Sequence, residues 1–211
     1  MMLDLTRLPL FVVASAVLIA SPGPAALYII ARSVSQGRRI GLISVAGIET
    51  GNLCQVTACA LGLSALLLSS PLAFSVVRYA GAGYLIFLGV RCLLPARQGA
   101  AAAATLPAGH GRAYTDGLVV ALLNPRTMLF FVAFLPQFAD PARGHMPMQL
   151  MVLGVLFVAM AIIGDGTYAL LAGTLGRRLT NSDAPNRLMQ YLTAASFIGL
   201  GVVAACSGAG N

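Results

Sequence analysis

The sequence predicts an all-α integral membrane protein with six transmembrane helices, arranged as two inverted repeats of three helices each. Three observations lead to this fold class. Of the 211 residues, 58% are hydrophobic and only 9% are charged, whereas a soluble domain normally has about 25% charged residues. The apolar residues form six blocks, each long enough to cross about 30 Å of hydrocarbon. Helix-breaking motifs and buried carboxylates also recur at matching positions of the two halves.

The first predicted span covers residues 8–31. Because Arg7 precedes it, a cleavable signal peptide is the alternative, but the apolar run continues past the usual length of a signal sequence. The other spans are predicted at about residues 40–69, 72–94, 115–138, 148–175 and 188–206. Small residues, Pro and Gly dominate residues 95–113, which predicts a flexible cytoplasmic linker. The chain therefore divides into a first repeat (1–94), this linker (95–113) and a second repeat (114–211).

The thirteen basic residues are all arginines, and they predict the orientation. One group lies after spans 1, 3 and 5: Arg32, Arg38, Arg39, Arg91, Arg97, Arg112, Arg177, Arg178 and Arg187. The opposite side has Arg7, Arg78 and Arg143. The positive-inside rule places the larger group in the cytoplasm, so both termini of this multi-pass protein are predicted outside the cytoplasm, in a bacterial inner membrane. Since the arginines fall between apolar blocks and not in a water-facing patch, no nucleic-acid partner is expected.

Helix breaks occur at corresponding positions of the two halves. Span 1 is interrupted within "SPGPAAL" by Pro22-Gly23-Pro24, and span 4 is interrupted by Asn124-Pro125. Proline frees backbone groups, which in lipid must be satisfied by protein, water or ligand. A half-helix that begins after the break presents N–H groups and a partial positive charge, which suits a carboxylate. Matched breaks indicate the binding site of a transporter, and a packing kink is the alternative.

Each half also has one acidic residue deep inside its second span. Glu49 shares a helix face with Asn52, and Asp165 shares one with Tyr168. Ionisable groups at this depth are costly and usually face a cavity or a partner, so all four are candidate substrate-binding residues, and the two acids are candidate proton carriers. Arg126 could bind a carboxylate or neutralise either acid. A structural Glu49–Arg126 ion pair and a packing role for Asp165 are the alternatives.

Glycine motifs are a third feature that recurs in both halves, and small residues also form a packing surface on span 2. Gly81-x-Gly83 in span 3 corresponds to Gly199-x-Gly201 in span 6. Span 2 also has a stripe of small residues suited to close helix packing: Gly47, Gly51, Ala58 and Gly62. These glycine faces fit internal packing or a homodimer equally well. Asp116, four residues after Arg112, is predicted to be a helix-start charge or a local ion pair.

No cofactor, metal site or enzymatic activity is predicted. The sequence has no Walker-type P-loop, so ATP hydrolysis is not expected to drive it. The four cysteines lie in apolar stretches without a CxxC motif and are interpreted as small hydrophobic residues: Cys54, Cys59, Cys92 and Cys206. The alternatives to a transporter of organic molecules are a divalent metal-ion exporter, a membrane thiol–disulfide carrier and a non-transporting scaffold.

Several stretches, taken together, resemble the lysine-exporter and homoserine/threonine-efflux (LysE/RhtB-type) transporters. They are "SPGPAAL", "QGRRIGLISVAGIETGN", "SPLAFSVVRYAGAGYLIFLGVR", "LLNPRTMLFFVAFLPQF" and "YALLAGTLGRRL". The resemblance implies a six-helix inner-membrane exporter of amino acids or close derivatives, coupled to protons. By position, Pro22-Gly23-Pro24 matches the family's helix-1 motif, and Asn124-Pro125 matches its helix-4 motif. Two residues depart from the pattern: many members have Asp in place of Asn52 and Lys in place of Arg126.

The broken helices and buried charges, taken together with the family resemblance, predict one binding mode. The carboxylate of an amino acid would meet the half-helices that follow Pro24 and Pro125, together with Arg126. Its ammonium group would meet Glu49 or Asp165, and proton binding to a carboxylate would release the substrate. The scarcity of acidic residues favours neutral substrates over dibasic ones.

Overall fold

A computed structural model describes residues 6–69 and 109–179. It also describes a few separate positions: Leu72, Val76, Tyr79, Gly83, Ile86, Phe87, Val90, Ile198 and Val202. Every regular element in the described part of the chain is helical, which confirms the all-α prediction. The described residues include only a few positions of predicted spans 3 and 6. They do not include residues 95–108 of the linker. The inverted repeat and the count of six spans therefore stay predictions.

The described chain forms six α-helices. They are α1 (Leu8–Ala20), α2 (Pro24–Gln36), α3 (Arg38–Ser69), α4 (His110–Leu122), α5 (Pro125–Leu129) and α6 (Met146–Leu179). The chain continues from α5 as a π-helical turn (Phe130–Phe134) and a 3-10 turn (Leu135–Phe138), and a second 3-10 turn (Pro141–Arg143) precedes α6. Within the described residues, one helix is by itself long and apolar enough to cross a membrane, at Met146–Thr174. There are up to three such spans if each of two bent helix pairs counts as one.

The two bent pairs are the predicted spans 1 and 4, and both break at the predicted motifs. The axes of α1 and α2 meet at 48°, and α4 meets the helical segment 125–138 at 45°. In each case a proline occupies the first helical position after the break, where its missing N–H costs no hydrogen bond. Ser21 leaves the helical conformation before the first break, and Asn124 does so before the second. The local chemistry of proline thus sets both break points.

The predicted loop between spans 1 and 2 is wrong. Helix α2 continues to Gln36, and only Gly37, with φ of 87°, separates it from α3. Arg32 is therefore a buried residue of α2, and Arg38 lies in α3. The end of α2 is set by a glycine in the left-handed region, not by the end of the apolar residues. Helix α4 likewise begins at His110, within the residues assigned to the linker.

Helix α3 packs closely against α4 through two glycines of the predicted small-residue stripe. A Cβ atom on Gly47 would collide with the backbone carbonyl of Tyr114, and one on Gly51 would lie 2.6 Å from the Cβ of Ala121. Gly62, by contrast, has no atom of a described residue within 4 Å of such a Cβ. Close backbone approach of this kind replaces the hydrophobic effect as the source of helix association in lipid. Helix α3 also packs against α2 and α6, so it lies at the centre of the described helices.

Two buried apolar clusters hold the helices together. The phenylalanine cluster joins α1, α6 and the segment after α5, and its ring centroids lie 4.9–6.5 Å apart. Its rings are Phe11, Phe130, Phe131, Phe134, Phe138 and Phe157. The second group, here called the α2–α3 cluster, joins α2, α3, α4 and α6. It consists of Tyr28, Ile29, Val45, Ile48, Ala121 and Ala169. The helix breaks lie between these two clusters.

Candidate functional site

The break between α1 and α2 frees backbone carbonyls, and two side chains from the second half of the chain bind them. Arg126 donates from Nη1 to the Ser21 carbonyl at 2.6 Å and from Nη2 to the Leu18 carbonyl at 2.8 Å. The Tyr168 hydroxyl donates to the Ala20 carbonyl at 2.8 Å. A guanidinium at the carboxyl end of α1 also opposes the negative end of the helix dipole. These contacts stabilise a break that lipid could not satisfy.

The break between α4 and α5 is stabilised in the reciprocal way. Gln55 of α3 donates from Nε2 to the carbonyls of Ala121 and Leu122, at 2.9 and 3.2 Å. The side chain of Asn124 accepts from the backbone N–H of Arg126 at 3.1 Å and so caps α5. Each break is therefore bound by the second predicted span of the opposite half, through Tyr168 in one case and Gln55 in the other.

The two helix N-termini differ in their capping. Asn124 caps α5, whereas the cap residue of α2 is Gly23, which offers no side chain. The first residue of α2 is Pro24, and the Leu27 N–H bonds to the Gly23 carbonyl. The N–H groups of Ala25 and Ala26 are therefore the ones that α2 leaves without an intrahelical acceptor. Both residues line the cavity described next.

A small cavity of about 50 Å³ lies where the two breaks meet. It is lined by Leu18, Ile19, Ser21, Gly23, Ala25, Ala26, Asn52, Asn124, Arg126, Thr127, Phe157, Ala161 and Asp165. This volume holds a few water molecules. Leu18, Phe157 and Ala161 belong to the phenylalanine cluster, and Ala25 packs against the α2–α3 cluster. The cavity therefore lies between the two apolar clusters and has polar groups in its wall.

Two buried carboxyl groups meet beside the cavity. Glu49 of α3 and Asp165 of α6 lie within hydrogen-bonding reach of each other, and Glu49 is only 5% exposed. Asn52 donates from Nδ2 to Glu49 Oε2 at 3.0 Å. Glu49 Oε1 and Asn52 Oδ1 are both buried, and neither has a hydrogen-bond partner among the described residues. The cluster thus offers two unfilled acceptors, which suits a ligand that donates several hydrogen bonds from a positive group.

The structure brings the ten sequence-predicted site residues together. The cavity wall includes Gly23, Asn52, Asn124, Arg126 and Asp165. The other five lie next to the cavity. Pro22, Pro24 and Pro125 form the breaks. Glu49 bonds to Asn52, and Tyr168 binds α1 near Asp165. In the described contacts, Arg126 and Tyr168 bind the backbone of α1. Whether any of the ten binds substrate stays a prediction.

The sequence interpretation missed several polar residues of the site. Ser21 and Thr127 line the cavity, and Gln55 binds the end of α4. All three are uncharged polar residues within predicted spans. Because polar groups in lipid need hydrogen-bond partners, this position in the sequence could have identified them. The ion pair of Arg32 with Asp116, at 2.8 Å, was not predicted from the sequence either.

Substitution of Gly23 by alanine is expected to disrupt this site. The added Cβ would lie 2.5 Å from Arg126 Nη1 and 3.0 Å from its Cδ, so the guanidinium must move off the end of α1. We expect a loss of about 1–3 kcal/mol in the free energy of unfolding, measured by thermal unfolding in detergent. The matched control is Gly62→Ala, where no atom in the described part of the chain lies within 4 Å of the added Cβ. Equal unfolding temperatures for the two variants would contradict the contact between Gly23 and Arg126.

Two broken helices that meet at a cavity with polar groups in its wall, packed by apolar clusters on either side, are features of a helical membrane protein. The LysE-type translocator family model matches residues 16–208, so this chain belongs to that family. No solved structure matches it.

Three relatives illustrate the range of the family. An uncharacterized membrane protein of Vibrio cholerae is 31% identical over 88% of this chain and 89% of its own length. The homoserine/homoserine lactone efflux protein of Salmonella typhimurium is 33% identical over 77% of this chain and 78% of its own. The leucine efflux protein of Salmonella choleraesuis is 30% identical over 68% of each chain.

Proposed function

We propose that this chain is a secondary active exporter of amino acids or close derivatives across the bacterial cytoplasmic membrane. It exchanges its substrate for protons and prefers substrates with neutral side chains. Both of its termini lie outside the cytoplasm. The family match and the names of two relatives, a homoserine and a leucine efflux protein, support export of neutral amino acids.

The observation that carries the proposal is the chemistry of the two walls of the cavity. On one wall, the uncapped N–H groups of Ala25 and Ala26 lie with the Arg126 guanidinium. On the other, α3 and α6 contribute Asn52 and Asp165, and Glu49 lies behind them, bonded to Asn52. Asn52 Oδ1 and Glu49 Oε1 are buried acceptors without a partner among the described residues. A positive wall suits a carboxylate and a negative wall suits an ammonium group. This pairing matches the two charged groups that every α-amino acid has in common.

The closeness of Glu49 and Asp165 supports proton coupling. Two carboxyl groups within hydrogen-bonding reach repel each other when both are ionised, so in the proposed mechanism they share a proton when no substrate is bound. A substrate ammonium group supplies the same positive charge. Proton and substrate therefore compete for one site, which is the requirement for exchange. The proton that enters from outside displaces the amino acid and resets the carrier.

The reciprocal contacts at the two breaks support movement of one half against the other. Tyr168 and Arg126 of the second half bind the end of α1, whereas Gln55 of the first half binds the end of α4. Such reciprocity is what an inverted repeat would produce. The cavity of about 50 Å³ is smaller than an amino acid, so in the proposed mechanism it widens to admit the substrate.

Export is tested in a bacterium that lacks its own amino-acid exporters and is fed a panel of dipeptides. We expect selective release of neutral amino acids such as leucine or homoserine. Asp165→Asn should lower the release rate at least about tenfold, because a hydrogen bond to a charged group contributes about 1.5–3 kcal/mol. Asp140→Asn makes the same chemical change at a half-exposed acid that pairs with Arg143, and it should export normally.

The alternative functions have distinct outcomes in the same assay. A correctly inserted chain that releases no amino acid selectively would contradict the proposal. Release of a divalent cation instead would identify a metal exporter. Within residues 6–69 and 109–179, no group of three or more His, Cys, Asp or Glu side chains lies close enough to hold a metal ion. If no solute is transported, the remaining interpretation is a non-transporting scaffold protein.

A further inference from the structure

A half-buried ion pair joins the two halves of the chain at the end of α2 that lies away from the break. Arg32 donates from Nη2 to Asp116 Oδ2 of α4 at 2.8 Å. Arg32 is 1% exposed, and its Nε donates to the Tyr28 hydroxyl at 3.0 Å. The guanidinium also lies 5.3 Å from the Tyr28 ring centroid. A charge this deeply buried is retained only with close partners.

The ion pair lies on one side of the cavity, further along α2. Arg32 follows the cavity residue Ala26 by six positions, which is about 9 Å along a helix. Tyr28 and Ile29 of the α2–α3 cluster lie between them on the same helix. From the cavity towards this end of α2, the molecule therefore has an apolar layer and then an ion pair that fastens α2 to α4.

The pair is also suited to opening. Buried ion pairs often contribute little net stability, because the desolvation of both charges offsets their attraction. Asp116 lies at the margin of the protein, with its side chain 37% exposed, and Arg112 Nε is 3.9 Å from the same carboxylate oxygen. The Arg112 side chain is 66% exposed. When α2 separates from α4, Asp116 keeps a cationic partner in Arg112, which lowers the cost of separation.

We propose that the Arg32–Asp116 ion pair is the gate that closes the cavity on the side where α2 ends. In the proposed orientation this side is the cytoplasm. Loading of substrate requires the pair to separate, and formation of the pair precedes release to the opposite side. The inference rests on the proposed export function for its direction, whereas the contact between α2 and α4 is a property of the fold. It can be tested without a substrate.

The test measures access to the cavity with a membrane-impermeant thiol reagent. Ser21→Cys places a thiol in the cavity wall, in a chain whose four native cysteines are replaced by alanine. In a separate chain, Ser35→Cys at the exposed end of α2 shows which membrane face is being labelled. We expect Asp116→Asn to raise the labelling rate of Ser21→Cys from that face about tenfold. The matched control is Arg39→Met, which removes an exposed arginine at the same end and should change nothing.

A second variant separates a gate from a structural contact. In Arg32→Met with Asp116→Leu, apolar side chains replace both charges and keep the two helices together. A gate held shut in this way should lower both the labelling rate and export about tenfold, with unfolding temperature unchanged or raised. The proposal is overturned if Asp116→Asn leaves labelling unchanged, or if the apolar pair exports at the normal rate. If gating changes as expected but no amino acid is exported, the proposed function fails and the gate stands.

Discussion

Replacement of Glu49 by glutamine is expected to abolish proton-driven export while leaving the fold intact. Glutamine keeps the shape of the side chain and can still accept from Asn52, which bonds to Glu49 at 3.0 Å. It cannot carry the proton that Glu49 and Asp165 share in the proposed mechanism. Affinity for the substrate should fall about 10- to 100-fold, because a charge-assisted hydrogen bond to the ammonium group is lost. The measurement is net export from vesicles with and without an imposed pH gradient.

The conservative variant Glu49→Asp is the control for this prediction. It keeps a carboxyl group at the site, so export should still respond to the pH gradient, with a weaker affinity because the side chain is shorter. A gradient response that persists in Glu49→Gln would assign the proton to Asp165 or exclude proton exchange at this pair. The double variant Glu49→Gln with Asp165→Asn distinguishes these outcomes. If Asp165 carries the proton, the double variant loses its response to the pH gradient. If protons are not exchanged at this pair, the response persists.

Replacement of Arg126 by methionine is expected to destabilise the protein more than any other single change at the site. It removes the donors to the carbonyls of Leu18 and Ser21, at 2.8 and 2.6 Å, and leaves both carbonyls buried. Each buried acceptor without a donor costs about 1–3 kcal/mol, so the free energy of unfolding should fall by about 2–6 kcal/mol. The measurement is unfolding of the purified protein in detergent.

Two comparisons assign this loss to the end of α1. Arg143→Met removes a half-exposed arginine from the loop before α6 and should unfold as the unchanged protein does. Tyr168→Phe removes the donor to the neighbouring Ala20 carbonyl, so its effect should not be additive with that of Arg126→Met. If Arg126→Met unfolds normally but no longer exports, Arg126 acts on substrate and not on the backbone of α1.

The helix breaks and the buried acids could be predicted because their causes are local. Proline cannot donate a hydrogen bond wherever it occurs, so Pro24 and Pro125 fix the start of a new helix from the sequence alone. Glu49 and Asp165 stand out because each interrupts a long apolar block. Helix ends were harder to predict. The apolar block of span 1 stops before Arg32, yet α2 continues to Gln36 because the Asp116 carboxylate of α4 pairs with that buried arginine.

The amino-acid sequence by itself determined that this is a helical membrane protein, where two of its helices break, and that Glu49 and Asp165 lie inside apolar helices. Hydropathy and proline geometry act over a few residues, so no knowledge of the fold was needed. Tertiary structure alone decided the partners: Arg126 binds α1 from 108 positions away, and Arg32 binds Asp116 across 84. Polar groups in a low-dielectric interior must find donors and acceptors, but packing determines which distant group is within reach.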